Sequence, residues 1–241
     1  MAEHAYASFN PTELAGRDLH GKLLGGIAPR PIAFASTVDE EGRDNLAPFS
    51  YFNVFSAKPP VVIFSPARRM KNNTTKHTLE NVLAVTEVVI NLVDYNMVHA
   101  CSLASADFDR GVSEFEKAGL TALPSDTVKP KRVAESPVAL ECKVLRVDSL
   151  GEEGGAGQLV VCEIQRMHFR SDVLNEAGKP VPDLLDLVGN GLASPRLTHR
   201  DVASSPNGND LCLCRRAWVK DELGSDPPAF SVRMPWSHPG V

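Results

Sequence analysis

The sequence predicts a mainly β fold, an antiparallel barrel that is closed or nearly closed. Three observations carry that prediction. Two long segments alternate apolar and polar residues at a period of two, a polar, hairpin-sized stretch separates the first two strand candidates, and helical spacing appears only in short windows.

The elements follow in chain order. Arg30–Thr37 (RPIAFAST) and Leu46–Val54 (LAPFSYFNV) are rich in aromatic and β-branched residues and read as strands. The polar segment between them, Val38 to Asn45, contains Gly42 and suits a hairpin loop. Val61–Ser65 follows a proline pair and reads as a short buried strand. His77–Thr86 places Leu79, Val82 and Leu83 at i, i+3, i+4, the spacing of one helix face. Val88–Val93 (VVINLV) returns to strand. Tyr95–Ser105 and Ser113–Gly119 read as short helices, the second closed by Gly119 as a C-terminal cap. Val138–Val147 and Gln158–Phe169 alternate, with Val138, Leu140, Cys142 and Val144 on one face of the first. In the second the phase slips near Arg166, as a β-bulge would make it. Beyond about Asn190 the pattern decays, so residues 1–190 are expected to form the domain and 191–241 an irregular, proline-rich tail.

Composition bounds the function. With 241 residues, 43% hydrophobic and 23% charged, the chain is long enough to bury a core without staples and is not disordered. A formal net charge of −5 argues against a sequence-independent nucleic-acid binder. No apolar run approaches the roughly 18 residues that span a bilayer, and no signal peptide is visible in Met1 to Asn10. Five scattered cysteines read as reduced thiols, which suits the cytoplasm. Cys212 and Cys214 stand alone, too little for zinc, and no metal site is expected.

Among the motifs, Gly151–Gly157 (GEEGGAG) carries two glutamates and leads into a strand, so it reads as a turn and not a phosphate loop. No Gly-x-Ser-x-Gly elbow or paired histidine motif supports hydrolysis. Ser65–Thr78 (SPARRMKNNTTKHT) mixes hydroxyls and amides with Arg68, Arg69, Lys71 and Lys76, between a buried strand and a helix start. It is either a solvated loop or a set of charge-assisted donors for a phosphate. Ser36-Thr37 with Asn45-Leu46-Ala47-Pro48-Phe49-Ser50 leaves room for a flat ligand against the backbone. Equally, it is an edge strand in which Pro48 blocks further pairing.

Taken together, Ala28–Thr37 (APRPIAFAST), Gly42–Ser50, Pro59–Ser65 and Lys76–Val82 (KHTLENV) resemble the flavin reductase-like, FMN-binding split-barrel proteins of the flavoredoxin type. The similarity runs on through Ile90–Val93, Glu114–Thr121, Glu135–Cys142 and Gly155–Ile164, and covers roughly residues 15–188. It implies a six-stranded split barrel that dimerises, with FMN near the subunit interface. It implies ring contacts from Ser36, Thr37, Asn45, Ala47, Pro48 and Ser50, and phosphate contacts from Ser65, Arg68, Lys76 and Thr78. His77 stands where the common Lys-Asp-Thr version has Asp, and Gly189-Asn190-Gly191 replaces the family's usual Arg/Gly/Tyr closing segment. The implied activity is hydride transfer from NADH or NADPH to the flavin N5, with a monooxygenase component or another acceptor taking the electrons. No side-chain nucleophile or catalytic residue is implied, because the flavin carries the redox chemistry. The alternative is a non-catalytic FMN-binding module for storage or sensing.

Overall fold

The computed structural model describes residues 5–191, together with the backbone of a strand pair at Val202–Ala203 and Leu211–Cys212. The rest of the expected 191–241 tail lies outside the described residues. The chain opens with α1 (Gly16–Gly26), followed by β1 (Arg30–Pro31), β2 (Ala33–Val38), β3 (Asp44–Phe49), β4 (Phe52–Ala57) and β5 (Pro60–Phe64). Then come α2 (His77–Ala84), β6 (Glu87–Asn91), α3 (Val98–Leu103), α4 (Glu114–Ala118), β7 (Ala122–Leu123) and β8 (Arg132–Val133). The long pair β9 (Val138–Ser149) and β10 (Gln158–Phe169) precedes α5 (Pro182–Leu185) and β11 (Gly189–Asn190).

One antiparallel sheet of seven strands, in the order β3-β2-β6-β9-β10-β5-β4, forms the body. The strands at its two edges, β3 and β4, are consecutive in sequence and joined only by Ser50 and Tyr51. Three Cα–Cα steps span at most about 11 Å, so the two edges must meet at that corner. The sheet therefore curls into a barrel whose seam is closed by a corner and by side chains. Phe49 of β3 packs on Phe64 of β5 across this seam, with ring centres 5.6 Å apart. The Ser65 N–H donates to the Tyr51 carbonyl at 2.9 Å.

This corner accounts for the strand count. The run Leu46–Val54, read above as one strand, is two strands on opposite edges, so the sheet has seven members where six were expected. Period-two alternation cannot show a chain leaving one edge for the other. The bulge expected near Arg166 is present, with Gln165 as the extra residue, and a second one sets Leu145 aside on β9. Both bend the two longest strands. Gly119 caps α4 in the left-handed conformation (φ 66°), as its position predicted. Of the expected helix Tyr95–Ser105, the first turn is 3-10 and α3 begins only at Val98.

β2 is buried on both faces and separates two cores. Inside the barrel, Ala33 and Ala35 meet Phe64, Ile90, Val160 and, from α2, Leu79 and Val82. Outside it, Phe34 and Leu46 are covered by Val98 and Cys101 of α3 and Phe115 of α4. Cys101, Cys142 and Cys162 are free, buried thiols, and burial pushes each of them up. Among the described residues no helix is long and apolar enough to cross a membrane.

The outer wall is tied to the barrel by a buried acid. Glu141 of β9 is fully buried and accepts the Asp126 and Thr127 N–H groups at 2.8 and 2.7 Å, the Thr127 hydroxyl, and a 2.7 Å contact from His168 Nε2. Burial alone would raise this carboxyl, but these hydrogen bonds outweigh it and hold it at about 2, against an ordinary 4.5. A depressed carboxyl stabilises the fold above its unfolded-state value and loses that stabilisation as pH falls toward its folded value. Glu141→Gln puts an amide NH2 where donors already point. We expect urea unfolding at pH 7 to show a loss on the order of 2–3 kcal/mol. The difference from wild type should shrink steadily between pH 5 and pH 3.

Candidate functional site

The Ser50–Tyr51 corner forms one side of a cleft of about 560 Å³, within the size range of cofactor sites. Its floor is the outer edge of β3. Pro48 has no N–H to offer a further strand, so this edge stays open, as expected from the proline. The small side chains of Ala47 and Pro48 leave that edge flat, and Asn45 and Ser50 supply polar groups beside it.

At the other end, the Ser65–Thr78 segment folds over the start of α2. Lys76 occupies the N-cap position and no side chain caps the helix. The leading N–H groups of His77 and Thr78, with the positive end of the helix dipole, thus lie at the cleft wall. Lys76 is half-buried, its Nζ 5.5 Å from the centre of the Phe49 ring. Burial lowers its proton affinity, with Asp107 opposing and Arg69 adding to that effect. Burial also lowers that of His77, helped by Arg110.

The Gly-rich turn, correctly read as a turn, braces this loop from behind. Arg68 N–H donates to the Ala156 carbonyl and Gly155 N–H to the Arg68 carbonyl, both at 3.0 Å. A side chain at Gly154 would come within 3.1 Å of the Met70 backbone, and one at Gly157 within 2.9 Å of Ser65 Oγ. Ser65 Oγ in turn accepts the Gln158 N–H at 2.9 Å.

Of the residues singled out in the sequence, Asn45, Ala47, Pro48, Ser50, Ser65, Lys76 and Thr78 line the cleft together. Ser36, Thr37 and Arg68 do not line it. Thr37 is buried behind the wall, where its Oγ1 accepts from Asn45 at 3.3 Å and Asn81 at 3.1 Å. Asn45 also donates to Thr78 Oγ1 at 2.9 Å, so Thr37 fixes Asn45 directly and Thr78 only through it. Ser36 is fully buried, and its hydroxyl has no hydrogen-bond partner among the described residues. Arg68 turns away and clamps the Asn73 side chain and carbonyl, at 2.7 and 2.6 Å, around a left-handed Asn73 (φ 54°). In its place Arg69 brings a guanidinium to the cleft wall, steadied by Asp107 at 3.2 Å and the Thr75 carbonyl.

Sequence reasoning missed α1, whose Arg17, His20 and Leu24 overhang the opening, and the Ala104–Phe108 segment. Four glycines within α1 lower its helix propensity, although Leu19, Leu23, Leu24 and Ile27 repeat at helical spacing. No residue of α1 is buried. Its C-terminal end is held by the buried Arg30, whose guanidinium donates to the Leu24 carbonyl (2.7 Å), the Ile27 carbonyl, Ser50 Oγ (3.3 Å) and Asn190 Oδ1 (2.9 Å). This explains the atypical Gly189-Asn190-Gly191. β11 pairs with β1, and a side chain at Gly189 would come within 2.9 Å of Pro29.

The profile of the flavin reductase like domain matches residues 25–190 of this sequence. The chain belongs to that family. An uncharacterized protein of Halalkalibacterium halodurans is 36% identical over 171 residues, covering 70% of this chain and 81% of that protein. The crystal structure of nitrilotriacetate monooxygenase component B from Bacillus cereus superposes with a TM-score of 0.76 at 29% identity, over 90% of this chain and 100% of that one. That of 2-nitrobenzoate 2-nitroreductase NbaA from Pseudomonas fluorescens gives 0.69 at 25% identity, over 97% and 100%. The split barrel of this flavin reductase-like family is the fold the seam describes.

Arg30 supplies a direct check on how the cleft is framed. Arg30→Lys keeps the charge but cannot reach four acceptors from one fork. Expected are a stability loss on the order of 1.5–3 kcal/mol and faster amide exchange across Gly21–Ile27, followed by hydrogen-exchange mass spectrometry.

Proposed function

We propose that the protein is an FMN-dependent oxidoreductase of the flavin reductase type, taking hydride from NADH or NADPH and passing electrons to a second acceptor. The observation that carries this reading is the two-ended cleft. An uncapped helix start with Lys76, Arg69, Ser65 and Thr78 meets the chemistry of a phosphate. The flat open edge of β3 beside Phe49 and Phe108 meets that of a planar ring. This donor set fits FMN, whose bound flavin would supply hydride acceptance and electron transfer.

The chain's own residues bind, orient and exclude water. Lys76 and Arg69 would balance the phosphate charge. Thr78 already accepts from Asn45, which leaves its hydroxyl proton for a ligand oxygen. Asn45, Ala47, Pro48 and Ser50 would seat the ring, with Thr37 supporting Asn45. In this reading Arg68 shapes the loop and Arg69 contacts the phosphate. Similarity to a monooxygenase component B favours a partner monooxygenase as acceptor. A homodimer fits the edge strand β4, whose Val54 and Phe55 are 63% and 65% exposed. Free thiols at Cys101, Cys142 and Cys162 suit the cytoplasm.

Two measurements test this reading. FMN added to purified protein should bind and, under anaerobic conditions, lose its visible absorbance when NADH or NADPH is added. Binding without bleaching by either would leave a storage or sensing module in its place. Separately, Lys76→Ala should weaken FMN ten- to hundredfold, as expected for a charge-assisted contact of about 1.5–3 kcal/mol, while riboflavin affinity barely moves. Arg69→Ala should follow Lys76→Ala, and Arg68→Ala should affect FMN less than either. Equal loss for both flavins would make Lys76 a structural residue.

A further inference from the structure

One acid in the cleft takes no part in the reading above. Glu114, the first residue of α4, is 6% exposed and lines the cleft beside the β3 edge. Its Oε2 accepts the Leu46 N–H, the outward donor of that edge, at 3.1 Å. Apart from its own backbone N–H, no other donor among the described residues reaches the carboxyl, and it makes no salt bridge.

The charged groups around it are committed elsewhere. From β3, Asp44 faces it as a like charge and is paired with Lys131 at 2.7 Å. From the β2–β3 hairpin, Arg43 pairs with Asp39 at 2.6 Å and Glu41 at 2.9 Å. From the loop before α4, Arg110 pairs with Glu80 and, at 3.7 Å, with Asp39, and Asp109 adds a further acid. From α2 comes His77, which burial drives toward its neutral form. Across the cleft Arg69 holds Asp107 at 3.2 Å, beside Lys76. An acid with only backbone donors (its own N–H and that of Leu46), a neighbouring carboxylate and no cation of its own is poorly stabilised as an anion. Burial first, and then Asp44, push its proton affinity upward.

We propose that Glu114 is the ring-recognising acid of the cleft, holding a proton on its carboxyl and donating that hydrogen bond to an acceptor atom of the bound flavin ring. The inference rests on the flavin reading above. A neutral carboxyl has one donor to offer the carbonyl and imine acceptors of a flavin, whereas a carboxylate would oppose them. Ring affinity is thereby linked to pH: it is full while Glu114 is protonated and falls as pH rises through its ionisation.

Riboflavin is the probe, because it lacks the phosphate that Lys76 would answer. Its dissociation constant, measured by quenching of flavin fluorescence from pH 5 to pH 9, should rise about threefold or more for the wild-type protein. Glu114→Gln keeps an acceptor for Leu46 and a donor for the ring, so it should bind near the low-pH wild-type level and show no step. In the wild-type protein, ¹³C NMR of the Glu114 carboxyl should show its titration moving to higher pH on saturation with riboflavin. A step of equal size in Glu114→Gln, or a Glu114 titration unmoved by riboflavin, would overturn this role and leave flavin binding intact. Failure of both FMN and riboflavin to bind at any pH would overturn the flavin reading itself, and this role with it.

Discussion

Two residues decide the architecture. Ser50 and Tyr51 join strands that lie on opposite edges of the sheet, and so short a link forces those edges together. Everything at the site depends on that corner. The seam brings Phe49 onto Phe64, turns the outer edge of β3 into an open floor, and sets Ser50 within reach of Arg30. A sheet closed by a full ladder of hydrogen bonds would have no free edge to offer. A flat open sheet would have no concavity. The split barrel has both, because its closure is made by a corner and side chains.

The cleft is then framed by loops that own little apolar surface, so polar contacts position them. The Gly-rich turn is the backing for the basic loop, and it needs small residues because the two backbones approach within van der Waals contact. Arg30 serves the opposite wall. Its fork gathers the end of α1, the corner and β11 around one buried charge, in place of a hydrophobic staple. α1 buries no residue fully, with Leu19 and Leu24 only half-buried, so that fork adds to a thin packing contact.

Two buried glutamates show how donors set the state of an acid. Glu141 and Glu114 are both shut away from solvent. Glu141 is met by several donors and held strongly ionised, so it works as an anchor for the Asp126–Thr127 segment. Glu114 is met by one neighbouring N–H and an acidic neighbour, and its proton affinity moves the other way. Burial raises both, and the number of hydrogen bonds to the charged form decides which way each ends.

Much of this was legible in the residues. Period-two alternation located β9, β10 and even the bulge before Arg166, because a half-buried strand writes its two faces directly into the chain. Pro48 marked an edge, Gly119 a helix end, and the mixed hydroxyls and cations of Ser65–Thr78 marked a segment that lines the cleft. The strand break at Ser50, the swap of Arg69 for Arg68 and the withdrawal of Ser36 and Thr37 behind the wall were not legible. Neighbouring residues of like chemistry differ only in which way the backbone aims them, and that direction is set by contacts with distant segments such as Asn73, Asn81 and the Gly-rich turn. Nor could the sequence single out α1 or Glu114: the first is glycine-rich and poorly helical by itself, and the second is one acid among 30 Asp and Glu residues. Local pattern and residue chemistry thus determined the strands, the family and the polar, cation-bearing segment that lines one end of the cleft. The tertiary structure alone decided which side chains share the cleft and which way their proton affinities lean, because burial and hydrogen-bond partners come from parts of the chain far apart in sequence.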